Sequence, residues 1–153
     1  MGKTQDKGLE TLRIWQRSLE FAKLICAEIL PRLPSEEKWA LAAQLRRSVQ
    51  SISANVAEGY GRYYFQESVR FCYIVRGSLE ETFSHLTLAY KLDYLPEETY
   101  QSLISEIQEL RRMLNGYISF LKESKRGVNE PGSTIHVHES SSPYLGDSDS
   151  PEA

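Results

Sequence analysis

EGYGRYYF, residues 58–65, decides the fold because it admits two incompatible readings. Its interleaved glycine, tyrosine and arginine echo an RNA-recognition signature, in which a basic residue, a glycine, an aromatic and another glycine precede further aromatics. That signature belongs on a strand inside a four-stranded sheet. On both sides of residues 58–65, however, apolar residues recur at steps of three and four, and the place reserved for a basic residue holds Glu58. The stretch therefore reads as the turn between two helices. Gly59 and Gly61 are expected to end the first helix, free to take positive φ without a Cβ penalty. Tyr60, Tyr63, Tyr64 and Phe65 are expected to cover the end of the bundle.

Working outward, four segments show helical periodicity. Leu12, Trp15, Leu19, Ala22, Cys26, Ile29 and Leu33 form the first stripe, closed by Pro31 and Pro34, since proline removes a donor and clashes with the preceding turn. PSEEKWAL opens the second helix, with Ser35 expected as N-cap and Glu36 and Glu37 at the positive end of the dipole. Its stripe is Leu41, Leu45, Val49, Ile52 and Val56. The third helix is expected from Phe65 or Gln66 to about Leu92, with Cys72, Leu79, Phe83, Leu86 and Tyr90 inward and Phe71, Ile74 and Val75 beside them. Pro96, Glu97 and Glu98 start the fourth. It shows Leu103, Ile107, Leu110, Leu114, Tyr117 and Leu121 and frays near KESKRG, where Gly127 can cap. No segment alternates as a strand does. Short connections make consecutive helices antiparallel, so the expected fold is all-α, an up-down-up-down four-helix bundle.

Composition sets the limits. The chain has 153 residues, 41% hydrophobic and 25% charged, enough for one domain with its own core. No apolar run approaches the ~20 residues of a membrane span. The opening MGKTQDKGLETL lacks the apolar centre of a secretory signal, and a cytoplasmic protein is expected. Cys26 and Cys72 sit among apolar residues and are expected to be buried free thiols. The net charge of −3 hides an asymmetry. All 18 Lys and Arg precede Val128, whereas Glu130, Glu139, Asp147, Asp149 and Glu152 follow it. The expected organisation is a flexible N-terminus over 1–10, the bundle over 11–126 and a disordered, acidic Ser/Pro-rich tail over 127–153.

The second helix carries a parallel polar stripe of Gln44, Ser48, Ser51, Asn55 and Glu58, flanked by Ala40, Ala42, Ala43, Ala54 and Ala57. Small neighbours suit close helix approach, and buried Ser or Asn fixes register or oligomer state at some cost in stability. A partly buried seam is expected there, with these five residues as candidates for an oligomer contact. Helices one and three add apolar residues off their stripes, Ile14, Phe21 and Ile25 and then Phe71, Ile74 and Val75. Apolar surface beyond one bundle seam points to an interface.

QLRRSVQSISANVAEGYGR (44–62), with LRIWQRSLEFAKLI before it and GSLEETFSHLTLAYKLDYL after it, resembles a four-helix-bundle family. That family was first noticed as reading frames in intervening sequences of bacterial large-subunit ribosomal RNA genes. The chain also resembles the related accessory variability determinants of diversity-generating retroelements. The resemblance spans about residues 9–124, with Gln-Leu-Arg-Arg and Asn-x-Ala-Glu-Gly as its specific segments. It implies a homopentamer with a central channel. It also implies, for the retroelement relatives, binding of RNA or DNA and of a reverse transcriptase through basic surfaces. The acidic tail and the modest basicity of the body depart from those relatives.

Little in the sequence suggests catalysis. Glu80, Glu81 and His85 form the only acid–histidine cluster on a helix, but di-iron bundles need paired Glu-x-x-His motifs, so helix-surface pairing is expected. His136 and His138 in the tail do not make a metal site. No nucleophile elbow or phosphate loop appears, and no enzyme, metal or cofactor is expected. The candidate nucleic-acid surface is Arg46, Arg47, Arg62, Arg70 and Arg76. Ordinary pairing would join Glu67 to Arg70, Glu80 to Arg76 and Glu58 to Arg62. Repeated around a ring, even a modest patch multiplies phosphate contacts. A non-enzymatic oligomeric adaptor for RNA, or for a protein–RNA complex containing a reverse transcriptase, is the leading expectation. A protein-interaction scaffold without nucleic-acid affinity is the alternative.

Overall fold

The structure, a computed structural model, describes residues 8–125. Residues 1–7 of the expected flexible N-terminus, and the expected disordered tail with Gly127, His136 and His138, lie outside the described residues. Among the described residues there are four α-helices and no strand: α1 (Arg13–Leu24), α2 (Leu41–Tyr60), α3 (Phe65–Lys91) and α4 (Glu97–Ser124). A 3-10 turn, Leu9–Thr11, precedes α1. Each helix packs on the next, and α1 closes against α4.

α1 does not run straight into its prolines. It passes into a π-turn at Ile25–Ile29 and a 3-10 turn at Leu30–Arg32. Its buried face is Ile14, Ser18, Phe21 and Ile25, continued by Ile29, while Leu19 is exposed and Leu12, Trp15, Ala22 and Cys26 are half-buried. This corrects the sequence reading: three residues set aside as surplus are core, and most of the assigned stripe flanks it. The Ser18 hydroxyl enters that core by donating to the Ile14 carbonyl at 2.6 Å, as helix-internal serines do.

The start of α2 also moves. Ser35–Glu37 is a separate 3-10 turn, and the residue before α2 is Ala40, in neither helical nor extended conformation (φ −116°, ψ −107°). Ser35 is therefore not the cap of α2. Glu37 supplies the acceptor instead, taking the Leu41 amide on Oε2 at 3.2 Å and the Tyr94 hydroxyl on Oε1 at 3.0 Å. An orphan amide of the first turn is thereby satisfied from outside the helix.

The core is continuous through all four helices. Phe21, Leu45, Ile52, Leu79, Leu86, Ile107, Leu110 and Leu114 are among its most deeply buried side chains, each contributing about 1.5–3 kcal/mol by leaving water. No deeply buried side-chain nitrogen or oxygen among the described residues lacks a hydrogen-bond partner.

Of the two glycines in residues 58–65, Gly61 ends α2 as expected, at its C-cap, but neither takes positive φ. Gly59 lies inside α2, and Gly61 is right-handed at φ −72°. Gly59 is needed for proximity: a β-carbon there would stand 2.8 Å from Phe71 Cβ and 3.2 Å from the Ser68 carbonyl. Positive φ occurs instead at Asp93 (62°), after α3. There the Tyr94 amide reaches the Ala89 carbonyl and the Asp93 amide reaches Tyr90, each at 3.0 Å, the Schellman closure.

Candidate functional site

The polar stripe of α2 faces α3 of the same chain. Ser48 and Thr82, both fully buried, place their hydroxyls 3.0 Å apart. One turn on, Ser51 Oγ is 2.8 Å from Ser78 Oγ, and Asn55 Nδ2 donates back to the Ser51 carbonyl and hydroxyl at 2.8 and 2.9 Å. Partners step backward along α3 as the chain steps forward along α2, ending where Gly59 meets Ser68 and Phe71. The two ends of the stripe are exposed. Gln44 accepts from Arg47 at 3.1 Å, and Glu58 accepts from Arg62 at 2.7 Å.

The five candidate arginines do not converge. Arg47 is held by Gln44 and by Glu81 of α3. Arg62 pairs with Glu58 and lies over the Phe71 ring, 5.0 Å from its centroid. Arg76 donates to Asn115 of α4 at 2.7 Å and sits over Tyr73. Arg46 and Arg70 are exposed, with no ion pair or side-chain hydrogen bond to any described residue. They belong to opposite ends of the α2–α3 pair, since the start of α2 lies beside the second half of α3. Among the described residues, the expected Glu67–Arg70 and Glu80–Arg76 pairs do not form. Glu80 instead takes a two-pronged bond from Arg111 at 2.6 and 2.9 Å, the fork geometry that favours arginine. Arg17 makes the same fork to Glu106, joining α1 to α4.

One group escapes a stripe-based reading. Trp39, between the 3-10 turn and α2, is 84% exposed, with the Lys38 ammonium 5.0 Å from its ring centroid. Beside it lies a groove of about 490 Å³, floored by Leu30, Leu33, Pro34 and Ala42 and edged by Lys38 and Arg46. The sequence does carry a signal for it: Trp39 falls off the Leu41–Leu45–Val49 stripe that faces the core. Tyr60 and Tyr63 are likewise exposed, and of the four aromatics it is Phe65 that packs against the core.

His85 Nε2 is 3.4 Å from Glu81 Oε1, which also receives Arg47. Among the described residues, no three His, Cys, Asp or Glu side chains converge as metal ligands. Both cysteines are free. Burial pushes the Cys72 thiol up to about 12, against a smaller opposing pull from Arg76, so at neutral pH it is a thiol and a poor nucleophile. Burial, and then the bond to Glu37, raise the Tyr94 phenol. No helix among the described residues is long and apolar enough to cross a membrane.

Four helices around one core, tied by hydroxyl pairs and forked ion pairs, define a small helical-bundle protein. The chain belongs to the 23S rRNA-intervening sequence protein family, whose model matches residues 10–116. Its fold is similar to the crystal structure of a protein of unknown function from the S23 ribosomal protein family of Bacteroides thetaiotaomicron. The two share 27% identity over 69% of this chain and 97% of that one, with a TM-score of 0.63. No curated protein sequence matches the chain significantly.

Proposed function

We propose that this protein is a non-enzymatic, cytoplasmic adaptor whose helices run up-down-up-down. In this reading it assembles with copies of itself and holds RNA, or a protein–RNA complex such as one containing a reverse transcriptase. The observation that carries the reading is the difference between Arg46 and Arg47. Arg47 is neutralised by Glu81, while its neighbour Arg46 stays exposed and unpaired beside Lys38 and Trp39. Cations kept out of intramolecular pairs remain available to phosphate. The family's name associates it with ribosomal RNA genes, and the family resemblance implies a pentameric ring; of the polar stripe, exposed Gln44 and Glu58 are the members left for its contacts, since Ser48 is buried within the chain. A ring would repeat each weak phosphate site and raise avidity without new contacts.

A second reading, a protein-interaction scaffold, is favoured by charge. Without Lys3, Lys7 and Arg126, and without Asp6 and the five tail acids, the described residues are electroneutral.

Light scattering with and without a structured RNA, at low and moderate salt, separates the two. An assembly that takes up RNA and releases it as salt rises supports the adaptor. An assembly that ignores RNA at low salt overturns the adaptor reading in favour of the scaffold.

A further inference from the structure

We propose that Trp39, Lys38 and Arg46 form a binding site for one unpaired nucleotide of single-stranded RNA, with the base stacked on the indole and the phosphate held by the two cations. The inference rests on the RNA reading above and names its substrate class.

Three independent features meet there. Trp39 is the most exposed large apolar side chain among the described residues, although an indole could bury about 150–250 Å². Leu41, two residues on and past the non-helical backbone of Ala40, is buried.

The adjoining groove, about 490 Å³, falls in the size range of small-ligand sites. Its floor is apolar and its charged lining is cationic alone, with no carboxylate. Glu37, next to Lys38 in the chain, is turned to the Leu41 amide and the Tyr94 hydroxyl.

Arg46 is the third feature. It lines the groove and carries no intramolecular partner among the described residues. A flat aromatic face beside two cations complements a base joined to a phosphate. Stacking is tolerant of sequence because every base has a π-face, whereas a paired base in a duplex keeps its face inside the stack. The site therefore selects strand state rather than sequence.

The test is fluorescence anisotropy with a short labelled RNA strand, and with the same strand annealed to its complement. Trp39→Ala is expected to weaken single-strand binding by roughly tenfold or more, the loss of one stacked base, with less than about a twofold change for the duplex. Trp39→Phe retains most of the affinity. Arg46→Ala weakens binding and makes it less sensitive to salt. Since Trp39 is 84% exposed, its replacement leaves the core untouched. Three results overturn the proposal: unchanged single-strand binding in Trp39→Ala, equal losses on both RNAs, or an altered assembly mass with RNA affinity intact, which assigns Trp39 to a protein contact. If the wild-type protein binds neither RNA, the adaptor function itself fails. If it binds RNA without needing Trp39, only this site does.

Discussion

Gly59 and Phe71 meet with no room for a side chain between them: a β-carbon on Gly59 would sit 2.8 Å from that of Phe71. Phe71 Cβ is fixed by the backbone of α3, so the contact cannot relax by turning a rotamer. Gly77 and Gly116, also helix-internal, would meet nothing within 4 Å. Alanine should therefore act with opposite signs. Gly77→Ala and Gly116→Ala are expected to stabilise the fold by about 0.5–1 kcal/mol each through helix propensity. Gly59→Ala is expected to cost about 1–2 kcal/mol net, since overpacking outweighs that gain. Urea unfolding midpoints decide the order.

The Ser48–Thr82 pair, with both side chains fully buried, predicts non-additivity. Thr82→Val removes the bond that Ser48 accepts, while Ser48 keeps its own bond to the Leu45 carbonyl, and is expected to cost about 1 kcal/mol. Ser48→Ala should cost about 1 kcal/mol. The double variant should lose less than the sum, because the bond the two hydroxyls share is lost only once. Additive losses in a double-mutant cycle would mean the two hydroxyls are energetically independent.

Cys72 and Cys26 should separate by reactivity. A disulfide-forming thiol reagent is expected to titrate half-buried Cys26 in the folded protein and Cys72 only after unfolding. Stability should also fall with alkali. Folded Cys72 keeps its proton to about 12, whereas the unfolded chain releases it near the ordinary thiol value of about 8.5. The folded state binds more protons between these values, so its stability is whole below about pH 8.5 and declines as pH rises toward 12. The raised Tyr94 phenol acts in the same direction. Cys72→Ala should make the decline shallower, as measured by urea midpoints across that range.

Asp93 holds a left-handed conformation at φ 62° in the closure after α3. Glycine takes that conformation freely, so Asp93→Gly is expected to raise stability by about 0.5–1 kcal/mol. Asp93→Ala should lower it. Thermal melts of the pair give the sign of each.

Helix α4 was the most legible element. Leu103, Ile107, Leu110 and Leu114 are the only strong stripe on that segment, and all are buried. Even there, the last buried position is Ile118 rather than Tyr117 or Leu121, which are half-buried. Helix α1 was less legible because apolar residues occupy most of its circumference. Its phase is set by where α2 and α4 lie, which α1 alone does not encode, so Ile14 and Phe21 changed places with Leu19. The polar stripe announced itself by its spacing and its lack of lysine, but the partners of its seam, Ser78 and Thr82, required the pairing of α2 with α3. The arginines were the least legible. The i,i+4 neighbour predicted Glu80–Arg76, yet the fork of Arg111 offers Glu80 two bonds from another helix. Such choices depend on rotation about helix axes, and local spacing is blind to them.

The π-turn at Ile25–Ile29 has a consequence for how this chain tolerates changes of length. A turn closed five residues apart houses one residue more than the helix around it requires. Deleting exposed Ala27 should let the segment close as plain helix while Ile29, Leu30 and Leu33 keep their places in the core. The same deletion one turn into α2 would rotate every later side chain by about 100° and carry Leu45, Val49 and Ile52 out of the interior. The seam between α1 and its prolines is thus a site where single-residue insertions and deletions can accumulate without touching the rest of the molecule.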